Sequence, residues 1–382
     1  MSSGPLAGLK VVEMAGIGPG PMCAMLLADL GATVLRVDRK QPVKQGLERP
    51  LRYNTLLRNR YAIGLDLKDA RAVEAVLDLV AHADALIEGF RPGVMERLGL
   101  GPGACLARNP RLVYGRVTGW GQDGPLAPCA GHDINYIALT GVLDAIGRAG
   151  QPPSIPLNLV GDYAGGSLYL ALGILAGIIE SRRSGRGQVV DAAIVDGVTN
   201  LATTFFGMLA GHVWHDGRGT NFTDSGSHFY DCYECRDGRY LSVGPIEPKF
   251  YQELLRLLEI DPAALGAPMD PKTWPRGKQI LAAKIRTRTR DEWAQRLEKS
   301  DACAAGILSF EEAPRHEHLR ARGTFVTVDG IVQPAPAPRF SRTAAAVPGP
   351  PREITRENTD AGLAEWLDAE EIARLRASGI LD

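Results

Sequence analysis

Two glycine-flanked stretches carry the groups best suited to moving a proton. Gly131-His132-Asp133-Ile134-Asn135-Tyr136 sets an imidazole beside a carboxylate. Further on, Leu157-Asn158-Leu159-Val160-Gly161-Asp162 sets another carboxylate just before Gly165-Gly166-Ser167, where a helix is expected to start. Neutral imidazole and ionised carboxylate both act as bases near pH 7, and a helix start stabilises the carboxylate. A third candidate is Gly244-Pro245-Ile246-Glu247-Pro248, a glutamate held between prolines directly after an expected strand. A carboxylate so restrained can orient an imidazole. On composition alone the plainer reading is favoured for each: a helix cap for Asp162, a satisfied core histidine for His132, a turn for Glu247.

Arg36, Arg39, Lys40, Arg58, Arg60, Lys68, Arg91 and Arg97 form a basic set in the first hundred residues. Several fall at the carboxyl ends of expected strands, where open α/β sheets bind ligands, and guanidinium groups suit phosphate. A solvated surface would explain them equally well. The turn Gly16-Ile17-Gly18-Pro19-Gly20-Pro21, with Asp38 ending the next strand, resembles a dinucleotide fingerprint but fails in detail. Proline stands where the third glycine belongs, and two prolines remove backbone donors that a pyrophosphate would use. Cys232-Tyr233-Glu234-Cys235 has no second cysteine pair to complete a zinc site, and on a strand its cysteines face opposite sides. His212/His215 and His316/His318 read as surface or loop histidines.

The elements that must position these groups alternate. Leu9–Met14 is a strand, Ala15–Pro21 a turn, Met22–Leu30 a helix ended by Gly31, and Ala32–Val37 a strand, which makes a βαβ unit and a parallel sheet. Strands at Tyr61–Leu67, Ala83–Glu88 and Leu112–Val117 alternate with helices at Ala70–Ala81 and Val94–Leu98, the pattern of a doubly wound α/β domain. Residues 165–183 form a small-residue helix, Gly187–Val190 a strand, and another helix follows from Asp191. A hairpin around residues 238–244 opens a smaller α+β domain. Val332–Pro351 is Pro-rich and reads as an extended return segment, and Glu365–Ser378 is a terminal helix. The expected layout is a large domain over 1–190, completed by about 325–382. A linker helix over 191–222, a small domain over 223–315 and a returning linker over 316–350 make up the rest.

With 382 residues, two domains are expected and no disulfide or metal staple is needed. The 43 Lys and Arg balance 44 Asp and Glu, which argues against a nucleic-acid partner. The longest apolar run, Leu168–Ile179, falls short of the ~18–20 residues of a membrane span. The amino terminus shows no secretory signal, and six dispersed cysteines suit a reducing compartment, so a cytoplasmic location without membrane attachment is expected.

Taken together, the motifs closely resemble the 2-methylacyl-CoA racemase branch of the family III CoA-transferase superfamily. The resemblance runs from Leu6 to about Arg342. It rests on Gly16-Ile17-Gly18-Pro19-Gly20-Pro21, Arg36-Val37-Asp38-Arg39, Glu88-Gly89-Phe90-Arg91-Pro92-Gly93-Val94, Gly131-His132-Asp133-Ile134-Asn135-Tyr136, Pro156–Asp162, Gly187–Ala192, Tyr230–Cys235 and Ile246–Tyr251. The block around His132 is telling, because the transferases usually carry no histidine there, whereas the aspartate at 162 is shared.

The resemblance implies proton transfer at the α-carbon of a CoA thioester through an enolate. His132, paired with Glu247, faces one side of that carbon and Asp162 the other, with Asn158 and Tyr230 in support. The Asp133 backbone amide would hold the thioester oxygen. Coenzyme A, as part of the substrate, would meet Ile17, Arg39, Leu65, Leu67, Lys68, Arg91, Arg97, Gly131 and Tyr136, and no further cofactor is implied. The alternative is a CoA-transferase using Asp162 as nucleophile, through an acyl-aspartyl anhydride. The implied fold is a Rossmann-like large domain plus a smaller α+β domain in an interlocked homodimer. Each site would lie between the large domain of one chain and the small domain of the other. Thr223-Asp224-Ser225-Gly226-Ser227-His228 departs from an apolar family stretch, and Lys249 stands where glutamine is usual. Both changes leave the natural acyl group open.

Overall fold

The computed structural model describes residues 4–41 and 49–381. The chain forms two compact units. The first holds the residues up to Ile137, Leu157–Leu201 and those from Glu317. The second holds Ala138–Pro156 and Ala202–His316.

In the first unit, β-prone runs alternate with helices and close into one sheet. Its strands are β1 (Lys10–Met14), β2 (Thr33–Asp38), β3 (Tyr61–Gly64), β4 (Ala85–Glu88), β5 (Val113–Thr118) and β6 (Gln188–Ala193). They lie in the order β3-β2-β1-β4-β5-β6, every pair parallel. That order belongs to doubly wound dinucleotide-fold sheets and puts the topological switch point between β1 and β4.

Strand residues alternate between two apolar layers. Val12, Met14, Leu35, Val37 and Ile63 pack with Val76, Leu79 and Val80 of α2 (Ala70–Ala81), together with Leu363 and Trp366 near the carboxyl end. Val11, Val34, Ala85, Ile87, Val113 and Val117 face the opposite layer. There they meet Cys23 and Leu27 of helix α1 (Pro19–Asp29) and Leu170, Ile174 and Ile178. Each such Val, Leu, Ile or Met side chain contributes about 1.5–3 kcal/mol by leaving water.

The small-residue helix starts earlier than its glycines suggest. Leu159–Leu168 is π-helical and runs directly into the α-helix Tyr169–Ser184. Glycine lets it lie close on the sheet. A Cβ at Gly173 would stand 2.5 Å from Val190 Cγ1, and one at Gly177 2.8 Å from Val113 Cγ1. Leu159–Ser184 is long and apolar enough to cross a membrane. In this fold Leu170, Ile174 and Ile178 are buried on the sheet, whereas Leu168, Leu172 and Ile179 are exposed.

Two other expectations shift. β6 continues through Asp191, so the next helix begins at Ile194. Val332 to Pro334 does not run free: Ile331–Pro334 pairs antiparallel with Phe325–Val328.

The second unit is α+β. β7 (Asp231–Glu234), β8 (Tyr240–Val243) and β9 (Ala304–Gly306) form an antiparallel sheet. Helices Pro248–Leu258, Trp274–Ile285 and Arg290–Leu297 bury Leu254, Leu281, Ile285 and Trp293 in its core. The stretch 138–156 is held in this unit by Arg148 to Asp231 and by Arg218 to Asp144, each at 2.7 Å.

Candidate active site

The carboxyl ends of the parallel strands surround a cavity of about 910 Å³. Ala15 to Pro19 follow β1, Arg36 to Arg39 end β2, Gly89 to Pro92 follow β4, and Val117 to Trp120 end β5. The cavity therefore sits where the switch point of a doubly wound sheet places a ligand.

His132 and Asp162 both line this cavity. His132 is exposed, so it is no core histidine. It immediately precedes the helix Asp133–Leu139, and its backbone N–H donates to Asn135 Oδ1 at 3.0 Å. That is half of a capping box, and it fixes the backbone from which the imidazole projects. Asp162 lies inside the π-helical segment and caps nothing at its start. Asn158 precedes that segment, and its side-chain amide donates to Asp162 Oδ2 at 3.4 Å. Leu157, just before, sits in the left-handed region at φ 59°, an uncommon and costly conformation for leucine. π-helical turns are rare and cluster at functional sites.

Asp162 is pushed above the ordinary carboxylate range, chiefly by burial and further by the Asp133 charge, while Asn158 and His132 pull it back. It is thus a stronger base than a free aspartate. Burial, followed by the Asp162 charge, raises Tyr136 in the same wall. The Tyr136 hydroxyl donates to the Gly131 carbonyl, and its ring meets Trp120 edge-on with centroids 4.8 Å apart.

Of the residues expected at this site, Ile17, Arg39, Arg91, Gly131, His132, Tyr136, Asn158 and Asp162 share the cavity wall. Leu65 and Leu67 do not. Leu65 is fully buried in the core beneath the sheet and Leu67 packs against it, so neither side chain reaches the cavity. Lys68 is exposed and outside the wall, as is Arg97, which folds back toward Gly93. The basic set divides. Arg58 is buried against Asp29 and Gln333, and Arg60 is buried against Glu13 at 2.5 Å, so both are structural. Arg36 faces the cavity while bridging to Asp38 at 2.7 Å.

Reading along the chain missed Arg49, Phe90, Trp120 and Tyr163, all in the wall. The signal for Trp120 was its place in Thr118-Gly119-Trp120-Gly121 at the end of β5. Phe90 and Arg91 are set by Glu88, whose buried carboxylate accepts the Phe90 N–H at 2.7 Å and bonds Arg116 Nε at 2.7 Å. Burial raises Glu88 above its usual range, and both contacts counter it.

Glu247 and Tyr230 belong to the second unit. Glu247 is exposed at the start of the helix Pro248–Leu258, and its side chain caps no backbone amide. The Tyr230 ring lies against Gly244, where a Cβ would be 3.4 Å from Cε2.

In the polar stretch 223–228 the side chains of Asp224, Ser227 and His228 are engaged within the fold. Asp224 accepts the backbone amides of Gly219, Thr220, Asn221 and Gly226. Ser227 donates to the Phe222 carbonyl, and His228 Nε2 meets Tyr251 Oη at 2.6 Å. These contacts give three of its polar residues a role in the fold. Cys232 is exposed and Cys235 buried, on opposite sides as expected, and His316 pairs with Glu298 at 3.1 Å. Among the described residues no group of His, Cys, Asp and Glu is arranged to hold a metal ion.

A cavity at a switch point, with two bases and a cationic wall, defines a ligand-handling α/β enzyme site. Comparison with known proteins gives the family: residues 6–354 match CoA-transferase family III, and the chain belongs to it. It is 42% identical over 381 residues to the alpha-methylacyl-CoA racemase of Mus musculus, covering 99% of this chain and 97% of that one. The Homo sapiens protein of the same name is 41% identical over 382 residues, with 99% and 97% covered. Among solved structures, a CAIB/BAIF family protein from Brucella suis superposes with a TM-score of 0.79 at 28% identity, covering 96% of this chain and 100% of that one.

Proposed function

We propose that this chain is an isomerase that interconverts the (2R) and (2S) forms of 2-methylacyl-CoA thioesters. The observation that carries the reading is the pairing of His132 and Asp162 in one cavity whose wall also presents Arg39 and Arg91. One base removes the α-proton, an enolate forms, and the other returns a proton to the opposite face. The developing oxyanion needs a preorganised donor. The Asp133 amide opens its helix, where no intrahelical acceptor exists for it, and suits that task. Arg39 and Arg91 pair with CoA phosphates, with Lys68 and Arg97 flanking, while Ile17, Gly131 and Tyr136 contact the pantetheine arm. The thioester is a branched acyl group of lipid metabolism, and no separate cofactor takes part.

The working form is a homodimer in which Glu247 of one copy orients His132 of the other and Tyr230 supports the acyl end. An exposed apolar stripe supports a second copy. Leu168, Leu172 and Ile179 are 51%, 64% and 71% exposed along one helix, and such stripes mark association faces. All six cysteines are unpaired, which suits a reducing, cytoplasmic setting.

The test is α-proton exchange. One enantiomer of a 2-methylacyl-CoA is incubated in D2O and followed by NMR, with a chiral assay of the recovered acid. Exchange with loss of optical purity is expected. His132→Ala and Asp162→Ala each abolish inversion and leave CoA binding intact. No exchange across several acyl chains, with CoA instead moving between carboxylic acids, replaces this reading with a transferase that uses Asp162 as nucleophile.

A further inference from the structure

Asp133 follows His132 directly, and the reading above uses only its backbone amide. Its side chain has separate work. The residue is 7% exposed, and Oδ2 accepts the backbone N–H of Asp162 at 2.7 Å. That N–H belongs to the first turn of a helical run, where no intrahelical acceptor is available. The contact is close. A Cβ at Gly161 would lie 2.3 Å from Asp133 Oδ2, so any larger residue there would press on the carboxylate. Among the described residues, Asp133 Oδ1 is buried without a hydrogen-bond partner.

The two proton-handling residues come from different segments, and this carboxylate joins them. It is one residue from His132 and one hydrogen bond from the amide of Asp162. We propose that the Asp133 side chain is a positioning residue for the proton transfer, capping the π-helical turn at Asp162, fixing its spacing from His132 and setting a fixed negative charge behind it. The proposal rests on His132 and Asp162 being the two bases.

The surroundings leave few other sources for such an effect. The groups acting on Asp162 are Asp133 and His132 with the Asn158 amide, and Tyr136 lies within reach of its charge. From α1 it meets Gly18, which carries no charge, and the helix Ile194–Leu201 meets its segment through Ile194 and Val198. Burial raises Asp133 itself, and the Asp162 and Gly161 amides favour its ionised form.

Two variants separate charge from geometry. Asp133→Asn keeps an acceptor oxygen for the Asp162 amide and removes the charge. Asp133→Ala removes both. The Asp162 titration is read by carboxyl ¹³C NMR in the full chain, with Asp162→Asn identifying the resonance. In Asp133→Asn the Asp162 midpoint, and with it the acid limb of the exchange rate, moves to lower pH. A purely structural role would leave that midpoint in place. In Asp133→Ala, kcat for exchange falls about 100-fold, the penalty for roughly 1 Å of misplacement, while KM changes less than about threefold.

An unchanged Asp162 midpoint in a folded Asp133→Asn overturns the proposal. So does an Asp133→Ala protein that keeps kcat within about threefold of the parent. If Asp133→Ala does not fold, Asp133→Asn decides. Absence of exchange in the parent chain counts against the racemase reading, and the NMR midpoint still tests the coupling of Asp133 to Asp162.

Discussion

Gly18→Ala probes the site without replacing either His132 or Asp162. Gly18 precedes α1 at φ 70° and ψ −119°, a conformation that disfavours any side chain. A Cβ there would stand 3.1 Å from Asp162 Oδ2, inside ordinary van der Waals contact. Two costs follow. Holding alanine in that backbone state costs about 1–3 kcal/mol. The methyl group must also displace either the turn or the carboxylate by a few tenths of an ångström, a fraction of the ~1 Å shift that costs about 100-fold in rate. The expected variant is folded, melts a few degrees lower, binds CoA nearly as the parent does, and exchanges the α-proton of a 2-methylacyl-CoA about tenfold more slowly in D2O. The loss falls on kcat, because the arginines of the cavity wall are untouched. A folded Gly18→Ala protein that exchanges within about threefold of the parent would refute the reasoning, since Asp162 could then not be held against the start of α1 while it works.

Three further outcomes are expected. His228 is fully buried and lowered to about 4, by burial first and then by Lys278. The unfolded chain therefore binds the extra proton between about pH 6.5 and 4, and stability falls by roughly 3 kcal/mol as pH drops through that window. Melting temperature against pH checks this, with His228→Gln expected to flatten the slope. Arg116→Ala strands the buried Glu88 carboxylate and costs about 3–5 kcal/mol. Because protonation of Glu88 relieves the penalty, urea unfolding should show a larger loss at pH 8 than at pH 5. Replacing Leu172 and Ile179 together by lysine should leave the subunit folded and shift sedimentation toward a monomer, with loss of exchange if the site needs a second copy.

What the sequence conveyed depended on how local the cause was. The alternating strands and helices of the first unit follow from residue pattern, and so does the switch-point cavity, because strand order limits where a ligand crevice can form. Arg39 and Arg91 could be placed there by their position at strand ends. Arg58 and Arg60 could not be told apart from them, since their partners Asp29 and Glu13 are distant in sequence and only packing reveals them. The π-helical segment was illegible for another reason. Gly161, Gly165 and Gly166 read as a loop and a late helix start, whereas close approach selects them. A Cβ at Gly165 would lie 2.5 Å from Val198 Cγ2, and one at Gly161 meets the Asp133 carboxylate. The polarity of 223–228 was ambiguous for a similar reason: Asp224 serves backbone amides of its own loop, a role that composition does not distinguish from contact with a ligand.

The start of α1 shows how one architecture changes its chemistry. In a dinucleotide fold the first glycine-rich turn offers backbone N–H groups at the positive end of a helix to a pyrophosphate. Here Pro19 and Pro21 remove two of those donors, yet the helix still begins in the same place, between the carboxyl ends of β1 and β4. The anion beside Gly18 belongs to the protein: it is the Asp162 carboxylate. The helix end favours the ionised base, against the burial and the Asp133 charge that oppose ionisation. With that position occupied by a side chain, the positive charge in the cavity wall comes from Arg36, Arg39, Arg49 and Arg91, of which Arg36 is already paired with Asp38. On the proposed reading, guanidinium groups of this wall hold a phosphate-bearing substrate while its reacting carbon meets the imidazole and the carboxylate. That division of labour is one the glycine–proline turn makes possible and a full dinucleotide turn would not.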